Sequence, residues 1–252
     1  MKAPLMTRFF SALVLVGLFY SQTALADDVK PLQAPAAENQ LLLKQNLPTH
    51  PEHILLAYFK LAGIHPDFTK WAALSPFLDN AKDSEIGPII SRESNRLSLA
   101  YTQYDVGTPI DVHTSINLDD YSTLNGVLNF NEFSARTFFT YSLYGENIAI
   151  VPRDIKNFAT IPMTKDKMDV MLGKARGSRI TAELLLKPTV ADSKAPFLHD
   201  GAEYRLLLAD IAEIRFWTPD KTEPQLLWTW RADWYTPKTD QQLLDLKAQE
   251  AH

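Results

Sequence analysis

The ten residues LLWTWRADWY, positions 226–235, decide how this chain is read, because they hold Trp228, Trp230 and Trp234. In a strand, successive side chains face opposite sides. Leu226, Trp228, Trp230, Ala232 and Trp234 then share one face, and Leu227, Thr229, Arg231, Asp233 and Tyr235 share the other. The first face is apolar and needs cover. The second is mixed and is expected to be solvated. Large aromatics dominate cores, so the indoles are predicted to line the inside of a sheet and not an exposed sugar-stacking platform. On this reading Trp230→Ala lowers the melting temperature sharply, whereas an exposed platform would lose ligand and keep its stability.

The preceding stretch, EYRLLLADIAEIRFW (203–217), offers a partner. Tyr204, Leu206, Leu208, Ile214 and Phe216 share one parity, broken at Asp210 and Ala212. TPDKTEP (218–224) reads as a surface connection, so the two stretches are expected to pair antiparallel beneath the N-terminal helices.

Moving toward the N-terminus, two-residue spacing persists through SRITAELLLKP (178–188), VLNFNEFSARTFFTYSLYGENIAIVP (127–152), DVHTSINL (111–118) and RLSLAYTQY (96–104). Turn signals stand at Gly126 and at Gly145–Asn147. In 111–118, Val112, Thr114, Ile116 and Leu118 oppose Asp111, His113, Ser115 and Asn117. In 96–104, Leu97, Leu99, Tyr101 and Gln103 fall on one side. TKDKMDVMLGKARG (164–177) is a helical insert, with Met168, Met171 and Leu172 on one face.

Before residue 96 the steps become helical. THPEHILLAYFKLAG (49–63) spaces Thr49 and Glu52 as a capping box, sets Pro51 in the first turn, and ends at Gly63. Ile54, Leu55, Tyr58, Leu61 and Ala62 form its stripe. HPDFTKWAALSPFL (65–78) predicts a second helix, with Phe68, Trp71 and Leu74 in register, and SEIGPIISRESNRLSLA (84–100) a third. The expected organisation is a polar leader and start of the helical region over 27–48, a helical segment over 49–95, and an antiparallel β domain over 96–236 with its helical insert near 164–174. A C-terminal helix or tail follows over 237–252. The class is α+β: an N-terminal helical segment packed on a C-terminal antiparallel sheet, sandwich or partly open barrel.

Residues 1–26 read as a secretory signal peptide: Lys2 and Arg8, the apolar run Phe9–Tyr20, then the small-residue site Ala24–Ala26. The run is too short for a membrane anchor. The remainder is expected to be soluble, with no membrane span after cleavage. None of the ten Asn residues opens a glycosylation sequon, and no Cys follows the cleavage site. A periplasmic address is expected, with extracellular release as the alternative. The absence of Cys excludes thiol catalysis, disulfides and thiolate metal sites. The net charge of −5 lacks the basic balance of nucleic-acid binders.

Searches for chemistry return little. His50 and His53 form H-x-x-H without a visible third ligand, and His65, His113 and His199 read as surface or turn residues, so no metal and no cofactor is expected. Asp119 and Asp120 do not continue into a calcium-loop ladder and read as a turn. Glu132 and Asp105 are carboxylates of unknown separation. Lys165, Lys167, Lys174, Arg176 and Arg179 form a basic patch beside Gly173 and Gly177. Of these, Lys174, Arg176 and Arg179 are the candidate anion contacts. The expected function is a non-catalytic binding or assembly module of the envelope, whose partner is another envelope protein or cell-wall polymer. The alternatives are a hydrolase of envelope polymer using a carboxylate pair, and a periplasmic carrier of a lipophilic small ligand.

Overall fold

Pro51 fixes the first turn of helix α1 (Pro51–Ala62), and Gly63, at φ 66°, closes it in the left-handed conformation that only glycine adopts freely. The computed structural model describes residues 48–118, 120–122, 125–175, 179–219 and 224–237. The expected signal peptide, the leader to residue 47, Asp119, Arg176, Gly177 and the tail from 238 onward lie outside them. The cap of α1 differs from expectation. His50, not Thr49, is the N-cap, its Nδ1 accepting the Glu52 N–H at 3.3 Å. Thr49 is instead sewn to residue 111: its Oγ1 accepts the Asp111 N–H at 2.8 Å, and its own N–H donates to the Asp111 carbonyl at 2.9 Å. Glu52 turns inward to Arg96 and Tyr144.

Helix α2 (Phe68–Ala72) buries Phe68 and Trp71, but it ends before Leu74, which is 51% exposed and not in register as expected. Helix α3 (Asp83–Gln103) carries Pro88 in its second turn. It corrects the reading of 96–103 as strand. Leu97 is fully buried and Leu99 is exposed, while Ala100, Tyr101 and Tyr104 pack on the core. That is a helical stripe, and positions 97 and 101 satisfy a two-residue and a four-residue spacing alike. The C-terminal carbonyls of α3 converge on one cation: Lys60 Nζ donates to Tyr101, Thr102 and Tyr104 at 2.9, 2.8 and 2.8 Å. Helix ends leave such carbonyls unsatisfied, so Lys60→Met should destabilise the protein by about 1–2 kcal/mol. A urea midpoint unchanged from wild type would refute this.

The strands in chain order are β1 (Ile110–Asn117), β2 (Asp120–Ser122), β3 (Val127–Asn129), β4 (Phe139–Leu143), β5 (Glu146–Pro152), β6 (Thr160–Pro162), β7 (Arg179–His199), β8 (Ala202–Trp217) and β9 (Leu226–Arg231). Asp120 thus begins a strand and does not stand in a turn. Helix α4 (Lys165–Ala175) is the expected insert, burying Met168 and Met171. The large sheet runs β1-β7-β8-β5-β4, with β9 on β8, and it is nearly closed, like a barrel. All its pairs are antiparallel except β5 with β8. Strands β2, β3 and β6 form a separate small sheet. The fold is α+β, with the helical segment preceding the sheet.

The parity break at Asp210 and Ala212 has a physical cause. Leu185 pairs with Glu213 but Leu186 pairs with Ile211, so Ala212 is an inserted bulge residue. The insertion switches which side chains point inward. Leu207, Ala209 and Ile211 before it join Ile214 and Phe216 after it in the core. Phe216 is the centre of an aromatic stack, with Trp228 at 4.8 Å and Phe130 at 5.0 Å between ring centroids. Trp230 lies edge-on to Phe158 at 4.6 Å. Trp228 and Trp230 are half-buried and packed on the core, as the strand reading requires. Their ring contacts are Phe216 and Phe158, while α1 packs against β7, β4 and β5. Trp234 lies beyond the end of β9 and is 52% exposed.

Candidate functional site: a buried ionic ladder

Alternation in β1 sends Val112 and Ile116 to the core and Asp111 and His113 to the opposite face of the sheet. Register then decides what they meet. His113 stands opposite Glu183 on β7, Glu183 opposite Arg215 on β8, and Arg215 opposite Thr229 on β9. One row along, Glu213 stands opposite Arg231. The face expected to be solvated is therefore a row of charges across four strands. Glu183 is 0% exposed, Glu213 1% and Arg215 7%.

Buried charges are costly unless paired and hydrogen-bonded, and these are. Arg215 donates from Nη1 to Glu183 Oε1 at 3.0 Å and from Nη2 to Glu213 Oε2 at 2.7 Å. Trp217, fully buried beside them, donates its indole N–H to Glu183 Oε2 at 2.5 Å. Arg231 Nη2 donates to Glu213 Oε1 at 2.9 Å, and Thr229 Oγ1 to the same oxygen at 3.4 Å. Past β9 the pairing with β8 continues one residue, the Ala232 N–H donating to the Ala212 carbonyl, and a turn follows in which the Tyr235 N–H donates to the Ala232 carbonyl. Tyr235 then lies within electrostatic reach of Glu213, Arg215, Arg231 and Asp111, and Lys187 sits over the Trp234 ring. The segment 232–237 thus returns over the ladder.

Asp111 Oδ1, His113 Nε2 and a Glu183 carboxylate oxygen lie within 4.8 Å of one another. His113 Nε2 and Asp111 Oδ1 are 3.1 Å apart, close enough for an ion pair, yet the contact is not aligned as a hydrogen bond and both atoms are sealed from solvent. The ladder sets the carboxylates Asp111, Glu183 and Glu213 against the guanidiniums Arg215 and Arg231, which leaves one negative charge over. The titration shifts agree. Burial raises the Glu183 carboxyl above its ordinary range, and the Asp111 charge adds to this, outweighing Arg215 and Trp217. Burial lowers the His113 imidazole, but Asp111 and Glu183 more than offset it, so the net shift is upward. Both shifts are the response of groups that favour an added positive charge.

The other sequence candidates are dispersed. Glu132 accepts from the backbone and side-chain N–H groups of Asn117 at the end of β1, and Asp105 accepts from the Gly107 N–H within its own loop. Arg96 clamps a different carboxylate pair, Glu52 and Glu93, with two hydrogen bonds to each, and Tyr144 donates to Glu52. His53 rests edge-on to Tyr104, and His65 against Phe68 and Tyr101. His199, expected in a loop, is the last residue of β7, stacked on Phe197. Lys165 pairs with Asp169 one turn along α4. Of the anion candidates, Lys174 and Arg179 are exposed near the end of α4 and the start of β7, and Arg176 is outside the described residues.

A half-open pocket of about 340 Å3 lies where the β7–β8 hairpin meets α1, lined by Tyr58, Glu146, Asn147, Asp192, Glu203 and Arg205, among others. It is polar, and Glu146, Asp192 and Glu203 outnumber Arg205 in its lining. Arg205 donates to Glu146 at 3.0 Å and rests over the Tyr58 and Phe59 rings. Tyr58 donates to the Asp192 carbonyl at 2.8 Å. No helix among the described residues is long and apolar enough to cross a membrane. Among known proteins, no family model, no curated protein and no solved structure matches this chain.

Proposed function

We propose that this chain is an exported, non-catalytic binding or assembly module of the envelope, periplasmic in address, which engages its partner at the acidic pocket beside the β7–β8 hairpin. The observation that carries the reading is how the ionisable groups are used. Glu183, Glu213 and Arg215 are buried and satisfy one another. Glu52 and Glu93 are held by one arginine; burial raises the Glu52 carboxyl, but the hydrogen bonds it accepts from Arg96 and from Tyr144 outweigh this and keep it below its ordinary range. A general acid for sugar hydrolysis needs a raised carboxyl and a partner across an accessible cleft. Glu52 has the opposite shift. The aromatic strands are filled by Phe130, Phe158 and Phe216 stacked on Trp228 and Trp230, which speaks against a lipophilic ligand lodged there. The pocket remains as a surface for hydrogen bonds, and Asp192 and Glu203 in its lining suit a basic segment of another envelope protein.

The test is affinity capture of the tagged protein from crosslinked envelopes, read by mass spectrometry, alongside an Asp192→Lys/Glu203→Lys variant. One consistent partner, depleted about tenfold or more by the charge reversal, is expected, since reversing complementary charges costs more than about 1.4 kcal/mol. Equal recovery by both proteins would overturn the pocket as the contact. Cleavage of purified peptidoglycan fragments by the wild type would overturn the non-catalytic reading.

A further inference from the structure

We infer that Asp111, His113 and Glu183 form a binding site for one divalent transition-metal ion, bridging β1 and β7 beneath the C-terminal segment. Four observations converge. The donors are one imidazole nitrogen and two carboxylates, a set suited to Zn2+, Mn2+ or Fe2+. The three donor atoms lie within 4.8 Å of one another. Two ligand atoms on a tetrahedral ion at about 2.0–2.1 Å are roughly 3.3 Å apart, and His113 Nε2 and Asp111 Oδ1 are 3.1 Å apart. Those two atoms are sealed from solvent and face each other without a well-aligned hydrogen bond, which is how two lone pairs stand when a cation belongs between them.

The surroundings are those of a ligand shell. Glu183 is oriented by Arg215 on one oxygen and Trp217 on the other, and such outer partners are what hold a metal-binding carboxylate in place. A cation between β1 and β7 also meets the charge left over by the ladder, in which Asp111, Glu183 and Glu213 outnumber Arg215 and Arg231. This inference stands apart from the proposed function. It concerns the opposite end of the sheet from the acidic pocket, and neither result decides the other.

The experiment is equilibrium dialysis of EDTA-stripped wild type against Zn2+ and, separately, Mn2+, with metal measured by elemental mass spectrometry and melting followed in parallel. Wild type should retain one equivalent of Zn2+ or Mn2+. Its Tm should rise by roughly 5–10 °C at a free-ion concentration of about 100 Kd. His113→Asn and Asp111→Asn should each retain none and move by less than about 1 °C under the same conditions. The wild-type stoichiometry stands as a test even where a variant fails to fold. Wild type that retains no metal overturns the inference, and so does retention undiminished in His113→Asn, which would place the ion at other histidines such as His50 and His53.

Discussion

Arg215→Met is expected to destabilise the protein by about 3–5 kcal/mol, the range for removing one partner of a buried ion pair. The reason is what stays behind. Glu183 and Glu213 would remain buried, with their bonds from Nη1 and Nη2 gone. Trp217 would still donate to Glu183, and Thr229 with Arg231 to Glu213. Against a typical domain stability of about 5–15 kcal/mol, the loss would be large enough to see in any denaturant titration. Comparison with Glu183→Gln/Glu213→Gln/Arg215→Met separates charge from shape. Removing both signs together should recover a good part of the loss, because the pair taken whole contributes far less than either half left alone. A single variant within about 1 kcal/mol of wild type would show that the ladder is reached by water and is not the dry network described.

Phe216→Ala should cost about 3–5 kcal/mol, the usual range for truncating a buried aromatic. Phe216 is fully buried and touches Phe130, Phe133 and Trp228, so the vacancy has rigid walls that collapse poorly. Trp230→Ala should follow with a smaller loss, because Trp230 is only half-buried and its described ring contact is Phe158. Trp234→Ala should stay within about 1 kcal/mol, since an exposed ring over Lys187 contributes little. The order Phe216, Trp230, Trp234 is the content of the prediction, and calorimetric melting reads it directly. Trp234 emerging as the most costly would place the core on the wrong side of the sheet.

These residues also show how far sequence alone reaches. The helix over 51–62 was legible because a proline, a cap and a glycine agree with the apolar stripe, although the cap is one residue later than the spacing implied. Thr49 had been claimed by the edge of β1, a contact 62 positions away. The helix to Gln103 was misread because Leu97, Leu99 and Tyr101 fit a two-residue pattern until burial shows which of them face inward. The β8–β9 pair was legible from composition, and the interruption at Asp210 and Ala212 marked a bulge whose consequence only pairing reveals.

The ionic ladder could not be found by motif, since register brings together residues 70 positions apart. A signal was present all the same. Glu183 in TAELLLK, with Glu213 and Arg215 in AEIRFW, are charges set inside apolar strands. Strand positions of that kind are expensive unless they meet each other. Searching for charges that long apolar strands could match across a sheet would have pointed to this face.

The ladder carries one more consequence, for uniqueness. Sliding β8 by a single residue against β7 would invert every side chain, driving Glu213 and Arg215 into the greasy layer and turning Phe216 toward the charges. An all-aliphatic sheet would tolerate such a slip far more cheaply. The charges thus act as a key cut to one alignment, and the inserted Ala212 is the notch that lets the two halves of a long strand obey it together.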